Sequence, residues 1–552
     1  MTNNRNTTTR QTNNNDDAKL AIQSFWLLGL LNNAPWVLML ACATNISSGG
    51  VALVFLANQL PGLLTKVTAP CWFHKVSYKR RMKMASLAMG LACVLVGLGG
   101  LFNDELSSND GGGGDDNDGN NATNSNTRAQ YGLVLELLGV SFMSFQCSLG
   151  EASLLALAGK FDGSLLPKVS SASVSSSSMD SYSAVDNDNN IRFESHDDRD
   201  EGRFAHEEEE EHNNTHNDKS SSSATLMKTE QQQRKCITAF ASGTGLAGIV
   251  GYAYKSLLAE LFGWGLSYIV WSAILFAIVY YRIYCTGLYE MDIRLEEAAS
   301  RNRLEGERCA SSLPEADGVE ELNGRTIEQR SSLEMVMQPQ DGEEENGSST
   351  LLSQHSSAST TTATKSVHHM TAWERFQTVF SLWPYMIPLF FVYMTEYMMQ
   401  AGVWPAIGFP VTSTSARSQF YHYANWTYQV GVFVSRSSGN LFTVSLTMLW
   451  VMPMLQFVNL CIFWSISVHH FWYDYSLLIM CFVVGLLGGG VYVQGYNRIN
   501  ADMPKELREF ALSSASVADS VGILVADISS LFIQSCIYQS NGIDGAVVDC
   551  PL

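Results

Sequence analysis

Apolar runs of about twenty residues alternate along the chain with stretches built from Ser, Asn, Asp, Glu and Gly. About twenty apolar residues is the length an α-helix needs to cross a bilayer. The first run, from Leu20 past Leu40, is too long for the apolar part of a signal peptide and predicts a retained membrane helix. It holds Asn32 and Asn33 and then Pro35, which predicts a kink. Further runs cover Val51 to about Pro70, Met84–Phe102, Tyr131 to about Ala158, and the close pair Ile237–Glu260 and Gly263–Tyr281. After a long hydrophilic segment come Phe376–Val403, Phe420–Val434, Leu441–Val468, Tyr475–Asn497 and Phe510–Ile537. The pattern predicts an all-α multi-pass membrane protein with about 11 transmembrane helices: a six-helix half over 20–283 and a five-helix half over 376–537. Six spans, a long loop and five more is the layout of a two-halved transporter without its last helix, and such folds place substrate sites between the halves near mid-membrane.

The polar stretches orient this arrangement. Lys75, Lys79, Arg80, Arg81 and Lys83 crowd one short loop, which the positive-inside rule places in the cytosol. The N-terminus is then cytosolic, and eleven crossings put the C-terminus in the lumen. Residues 1–19, rich in Asn and Thr, read as a disordered cytosolic N-terminus. Residues 103–130 form a lumenal insertion carrying the glycosylation sequon at Asn121. The sequons at Asn213 and Asn346 fall in expected cytosolic loops and read as chance matches. Segments 163–235 and 289–371 are Ser-rich and acidic with little to bury, so they read as disordered cytosolic loop and linker. Residues 538–552 form a lumenal tail.

Charge sharpens the same division. The 552 residues are 46% hydrophobic and carry a formal net charge of −19. That charge sits in the three polar segments, leaving the apolar part close to neutral, as lipid-embedded helices should be. No basic, aromatic-interleaved surface for nucleic acid is visible. The eleven cysteines show no metal-ligand spacing, although Cys536 and Cys550 can pair if the C-terminus lies in an oxidising lumen. No nucleophile–base pair, metal motif or nucleotide loop stands out, so neither an enzyme nor a cofactor is expected.

Chemistry enters with the charges inside apolar runs. A carboxylate near mid-membrane costs roughly 3 kcal/mol on insertion scales, so an intramembrane acid is by default a pathway residue, the alternative being a glutamate that hydrogen-bonds a neighbouring helix or snorkels to an interface. Glu396, in the seventh span, and Glu151, in the fourth, lie one in each half and are expected to face a central cavity. There they can exchange protons near lysosomal pH. Lys66 either counters one acid or contacts an anionic substrate. Asn32 and Asn33 bind substrate or repair the backbone before Pro35, and Gln494 and Asn497 are further cavity-facing candidates. Arg436 is expected at the cytosolic end of the eighth span, in an inter-helix ion pair with Asp519 or Glu509, or gating the cavity or binding phosphate bidentately. Glu136 and Asp527 also lie in expected spans and rank lower.

Seven strings in order resemble the battenin family of lysosomal and vacuolar membrane proteins. They are FWLLGLLNNAPWVLML from Phe25, LTKVTAPCWFH from Leu64, SLGEASLLALAG from Ser148, VYMTEYMMQAG from Val392, YQVGVFVSRSS from Tyr428, GLLGGGVYVQGYNRI from Gly485 and LREFALSSASVADSVGI from Leu507. The resemblance covers the apolar spans and omits the polar insertions. It implies a major-facilitator-like bundle in late endosomal, lysosomal or vacuolar membranes without known catalytic activity. It further implies roles in organelle pH homeostasis and in handling basic amino acids or exporting glycerophosphodiesters. Two family features are missing. The ending Asp549-Cys550-Pro551-Leu552 is no prenylation box, and Leu351-Leu352 lacks the acid of a dileucine sorting signal. Tyr182-Ser183-Ala184-Val185 has the form of a tyrosine signal. The expected partners are membrane lipids, a small polar metabolite with or without protons, and cytosolic trafficking proteins at the acidic loops. The alternative expectation is a membrane scaffold that organises such partners and transports nothing.

Overall fold

The structure is a computed structural model, and it describes residues 3–42, 51–109, 119–164, 235–311, 370–546 and 548–551. Among them it is a bundle of α-helices, an all-α multi-pass membrane protein. The first half holds α1 (Asn3–Ala41), α2 (Val51–Trp72), α3 (Tyr78–Asn109), α4 (Gly119–Ser164), α5 (Lys235–Phe262), α6 (Leu266–Ser272) and α7 (Ile274–Ile283). A π-helical turn, Tyr284–Tyr289, follows and leads to α8 (Glu290–Ser311). The chain divides into two units, 1–292 with 366–552, and Ile293–Lys365. Of the second unit the described part is helical to Ser311.

The second half holds α9 (Ala372–Ser381), α10 (Trp383–Met398), α11 (Thr414–Ser437), α12 (Leu446–His469), α13 (Leu477–Asp502), α14 (Lys505–Ala515) and α15 (Val517–Ser540). Eight helical stretches of the described residues are long and apolar enough to cross a membrane, or nine if the bent pair α9–α10 is one span. The expected eleven is not reached on that measure, because α2 and α11 are not among them. Both are nevertheless 22 and 24 residues long, enough for a crossing at 1.5 Å per residue. They also carry Lys66 and Arg436.

Several boundaries differ from the sequence reading. Residues 3–19 continue α1 rather than lying outside it, because extending an existing helix costs far less than nucleating one. Segment 103–130 is likewise helical up to Asn109 and again from Gly119, which puts Asn121 in the first turn of α4. The seventh run is broken. Its start is α9, an amphipathic helix with no buried residue, capped by a Thr371–Glu374 capping box and bent 63° from α10. Pro384 in the first turn of α10 explains the break, since proline starts a helix but cannot continue one. The sequons at Asn213 and Asn346 and both sorting patterns lie outside the described residues, as do most of 163–235 and 289–371.

Packing repeats in the two halves. The first and fifth spans pair in each, α1 with α5 and α10 with α15, as do the second and fourth, α2 with α4 and α11 with α13. Glycines permit the closest of these contacts. A Cβ on Gly29 would collide with the Phe240 carbonyl and one on Gly243 with that of Trp26, so α1 and α5 touch backbone to backbone. Gly431 and Gly485 do the same for α11 and α13. The halves meet along α5 against α11 and α2 against α15. Outward faces carry exposed Leu87, Leu275, Met454 and Ile479, as a lipid-facing surface should.

Two tethers hold the ends of the bundle. Asp162, in the last turn of α4, accepts hydrogen bonds from the backbone N–H groups of Cys236 (2.8 Å) and Ile237 (3.2 Å), capping α5 from another helix. Cys536 on α15 is disulfide-bonded to Cys550, with Cα atoms 4.8 Å apart.

Candidate functional site

A cavity of about 100 Å³ lies between the halves. Its wall takes Lys66 from α2, Glu151 from α4, Thr244 from α5, Tyr393 from α10, Arg436 from α11 and Asp519 from α15.

One side of the cavity is a buried ion triad. Lys66 Nζ lies 2.7 Å from Glu151 Oε2 and 3.1 Å from Asp519 Oδ1. Lys66 and Glu151 belong to the first half and Asp519 to the second, so the lysine ties the halves together. Asp519 Oδ1 also accepts from the Ser520 backbone N–H at 2.7 Å, and Glu151 Oε1 accepts from the Tyr492 hydroxyl at 2.6 Å. Three charges out of water demand this many partners, because each unpaired buried ion costs several kcal/mol.

Opposite stands a cation held by neutral groups. Arg436 donates to Thr244 Oγ1 at 2.7 Å and to the Tyr393 hydroxyl at 2.9 Å, and its guanidinium lies 4.1 Å from the centre of the Tyr492 ring. Among the described residues it has no ion-pair partner, and its Nε is buried without an acceptor. The ring face contributes about 2 kcal/mol where desolvated. Tyr492 therefore joins the two sides, with its hydroxyl on Glu151 and its ring under Arg436.

These positions correct the sequence reading at several points. Arg436 pairs with neither Asp519, which Lys66 takes, nor Glu509, which accepts from the Tyr78 hydroxyl at 2.6 Å. Glu509 lies instead in a second cavity of about 250 Å³ with His74, Tyr78, Arg81 and Glu506. Arg436 does lie in the last turn of α11, the end of the eighth span. From there it reaches Thr244 of α5 and Tyr393 of α10, each about 15 Å along its helix from the N-terminal end.

Glu396 is buried but does not line the cavity. One oxygen accepts from the hydroxyl of Tyr428, a cavity residue, and the other packs against Gly488 of α13 without a hydrogen-bond partner. The carboxylate thus stands one layer behind the wall. Glu151 faces the cavity as expected.

The four amides divide. Asn33 lines the cavity and accepts from the Cys147 thiol at 2.9 Å. Asn32 does not, since its amide donates to the Cys147 carbonyl (2.9 Å) and accepts from Gln146 (3.0 Å) and Tyr280 (3.2 Å). Those bonds join α1, α4 and α7. Gln494 donates to the Phe442 carbonyl at 3.1 Å, and Asn497 to Thr238 Oγ1 at 3.2 Å. Neither lines the cavity, whose described wall takes no residue from α13. The sequence reading missed Tyr393, Tyr428, Tyr492 and Thr244. A usable signal existed in the i, i+4 pairs Tyr393–Tyr397 and Tyr492–Tyr496, each with rings in contact.

Comparison with known proteins agrees over most of the chain. The family model described as CLN3 protein matches residues 23–176 and 221–540. Protein BTN1 of Yarrowia lipolytica is 26% identical over 95% of this chain and 97% of its own length. Protein btn-1 of Neurospora crassa is 24% identical over 93% and 87%, and Protein BTN1 of Saccharomyces cerevisiae 24% over 92% and 93%.

Proposed function

The chain belongs to the CLN3 protein family, and from that premise we propose that it is a transporter-like protein of the lysosomal or vacuolar membrane. It moves a small polar metabolite, a glycerophosphodiester or a basic amino acid, through the cavity between its halves and so acts on organelle pH. The carrying observation is that the cavity presents a cation without a counter-ion among the described residues, Arg436, opposite a triad that contains two carboxylates. An anionic group of the substrate completes Arg436, whose planar fork suits phosphate or carboxylate. A cationic group, or a proton, competes with Lys66 for Glu151 and Asp519. Opening the Lys66–Asp519 contact separates α2 from α15, which links occupancy of the cavity to movement of the halves.

Glu396 serves this reading as a support that acts through Tyr428. In orientation, the N-terminus is cytosolic and the C-terminus lumenal. The Cys536–Cys550 disulfide supports the lumenal end, since such bonds persist in oxidising compartments.

Purified protein in vesicles tests the proposal with labelled glycerophosphocholine and labelled lysine in parallel. Uptake of one, lost in Arg436→Gln, is the expected result. Equal uptake of both by vesicles with and without protein would overturn it. Removing residues 165–232 separates transport from scaffolding: transport survives the deletion, whereas organisation of cytosolic partners through the acidic loops would not.

A further inference from the structure

Between α10 and α15 the fold buries a carboxylate that the cavity does not use. Both oxygens of Asp527 are buried and have no hydrogen-bond partner among the described residues. Ser530 Oγ, less than one turn further along α15, is likewise buried without a partner among the described residues.

Two glycines bracket the place. A Cβ on Gly522 would stand 2.5 Å from the Phe390 carbonyl oxygen and 3.2 Å from Met394 N. One on Gly402 would stand 3.2 Å from Ser530 Cα and 3.1 Å from the Ile533 side chain. The two helices therefore close backbone to backbone on either side of Asp527 along α15. Asp527 also continues the stripe of Ser520 and Ile523, at i+7 and i+4, and both of those line the cavity. Tyr397 on α10 lines the cavity too and lies within electrostatic reach of Asp527.

An ionised carboxylate so enclosed, with no donor, costs several kcal/mol. A single small cation removes that cost. We propose that Asp527 is a second, monovalent-cation site, next to the central cavity but separate from it, taking a proton or an alkali ion. The other titratable groups on elements packed against α15 are committed or turned outward. Lys66 of α2 holds Glu151 and Asp519, and Glu396 of α10 takes the Tyr428 hydroxyl. Tyr385 and Tyr393 of α10 bind Asp502 and Arg436, Glu509 of α14 takes the Tyr78 hydroxyl and Arg508 donates to the Met503 carbonyl. Lys505 and Glu506 of α14, Cys71 of α2 and Cys461 and His469 of α12 are exposed. The site stands whether or not the chain is a transporter.

The test uses the full-length protein in detergent and dicyclohexylcarbodiimide, an apolar reagent that modifies protonated carboxyl groups, with the labelled residue mapped by mass spectrometry. Labelling of Asp527 that sodium slows relative to choline identifies an alkali-ion site, with roughly tenfold slowing at ten times the dissociation constant. Labelling that is indifferent to sodium and falls as pH rises identifies a proton site. An Asp527 that resists the reagent at every pH and in choline alone overturns the proposal. In parallel, Asp527→Asn, a neutral isostere, is expected to fold and to abolish the dependence of Tm on the same cation. A variant that keeps the wild-type dependence overturns it as well.

Discussion

Lys66 and Arg436 face one cavity and are neutralised by opposite means. Lys66 has two carboxylates within 3.1 Å, drawn from both halves of the bundle. Arg436 has a threonine, a tyrosine hydroxyl and a tyrosine ring. The first arrangement is electrostatically closed and holds the bundle together. The second keeps an undischarged cation where a ligand can reach it. A membrane protein tolerates the latter because hydroxyls and a ring face stabilise a guanidinium without quenching it.

Substitutions can break or sharpen this contrast. Lys66→Met leaves two carboxylates facing each other in a buried site and is expected to destabilise by about 3–5 kcal/mol, read as a drop in Tm in detergent. The triple variant Lys66→Met, Glu151→Gln, Asp519→Asn should recover much of that loss. A Lys66→Met protein as stable as wild type would show that the triad does not hold the halves. Arg436→Gln is expected to cost less, about 1–3 kcal/mol, since only neutral partners lose a donor, while uptake into vesicles disappears. Arg436→Lys should leave uptake impaired, because a point charge cannot make the same fork. Full uptake by the lysine variant would argue for simple charge attraction.

Tyr492→Phe removes the hydroxyl from Glu151 and keeps the ring under Arg436. The expected cost is about 1 kcal/mol, with substrate affinity nearly intact. A large loss of affinity would instead show that the two sides act as one unit. Thr244→Val should have the smallest effect, less than about 1 kcal/mol, visible as a modest rise in the substrate concentration needed for half-maximal uptake.

What the sequence makes legible is energetic in origin. Lys66, Glu151, Arg436 and Asp519 are conspicuous because charge in an apolar run is costly, and all four line the cavity. The helices were legible from run length. Partners were not. Whether Asp519 meets Lys66 or Arg436 depends on the rotation of α15 about its axis, which close contacts such as Gly522 against Phe390 decide. Glu396 shows the limit of reasoning from cost: it is more deeply buried than Glu151, yet Tyr428, to which it is hydrogen-bonded, lines the cavity and it does not. The tyrosines escaped notice because tyrosine is equally at home at a lipid interface and carries no charge to betray a buried role.

The cap that Asp162 places on α5 reaches beyond local stability. It brings the end of α4 and the start of α5 to one point, so both ends of the intervening chain are anchored at a single doorway. Closing such a loop grows more expensive only logarithmically, by about 0.6 kcal/mol for each doubling of its length. The doorway therefore insulates the transmembrane architecture from whatever sequence is spliced there. It is the natural place for a lineage to lengthen the chain, and for an experimenter to insert a fluorescent reporter without touching the cavity.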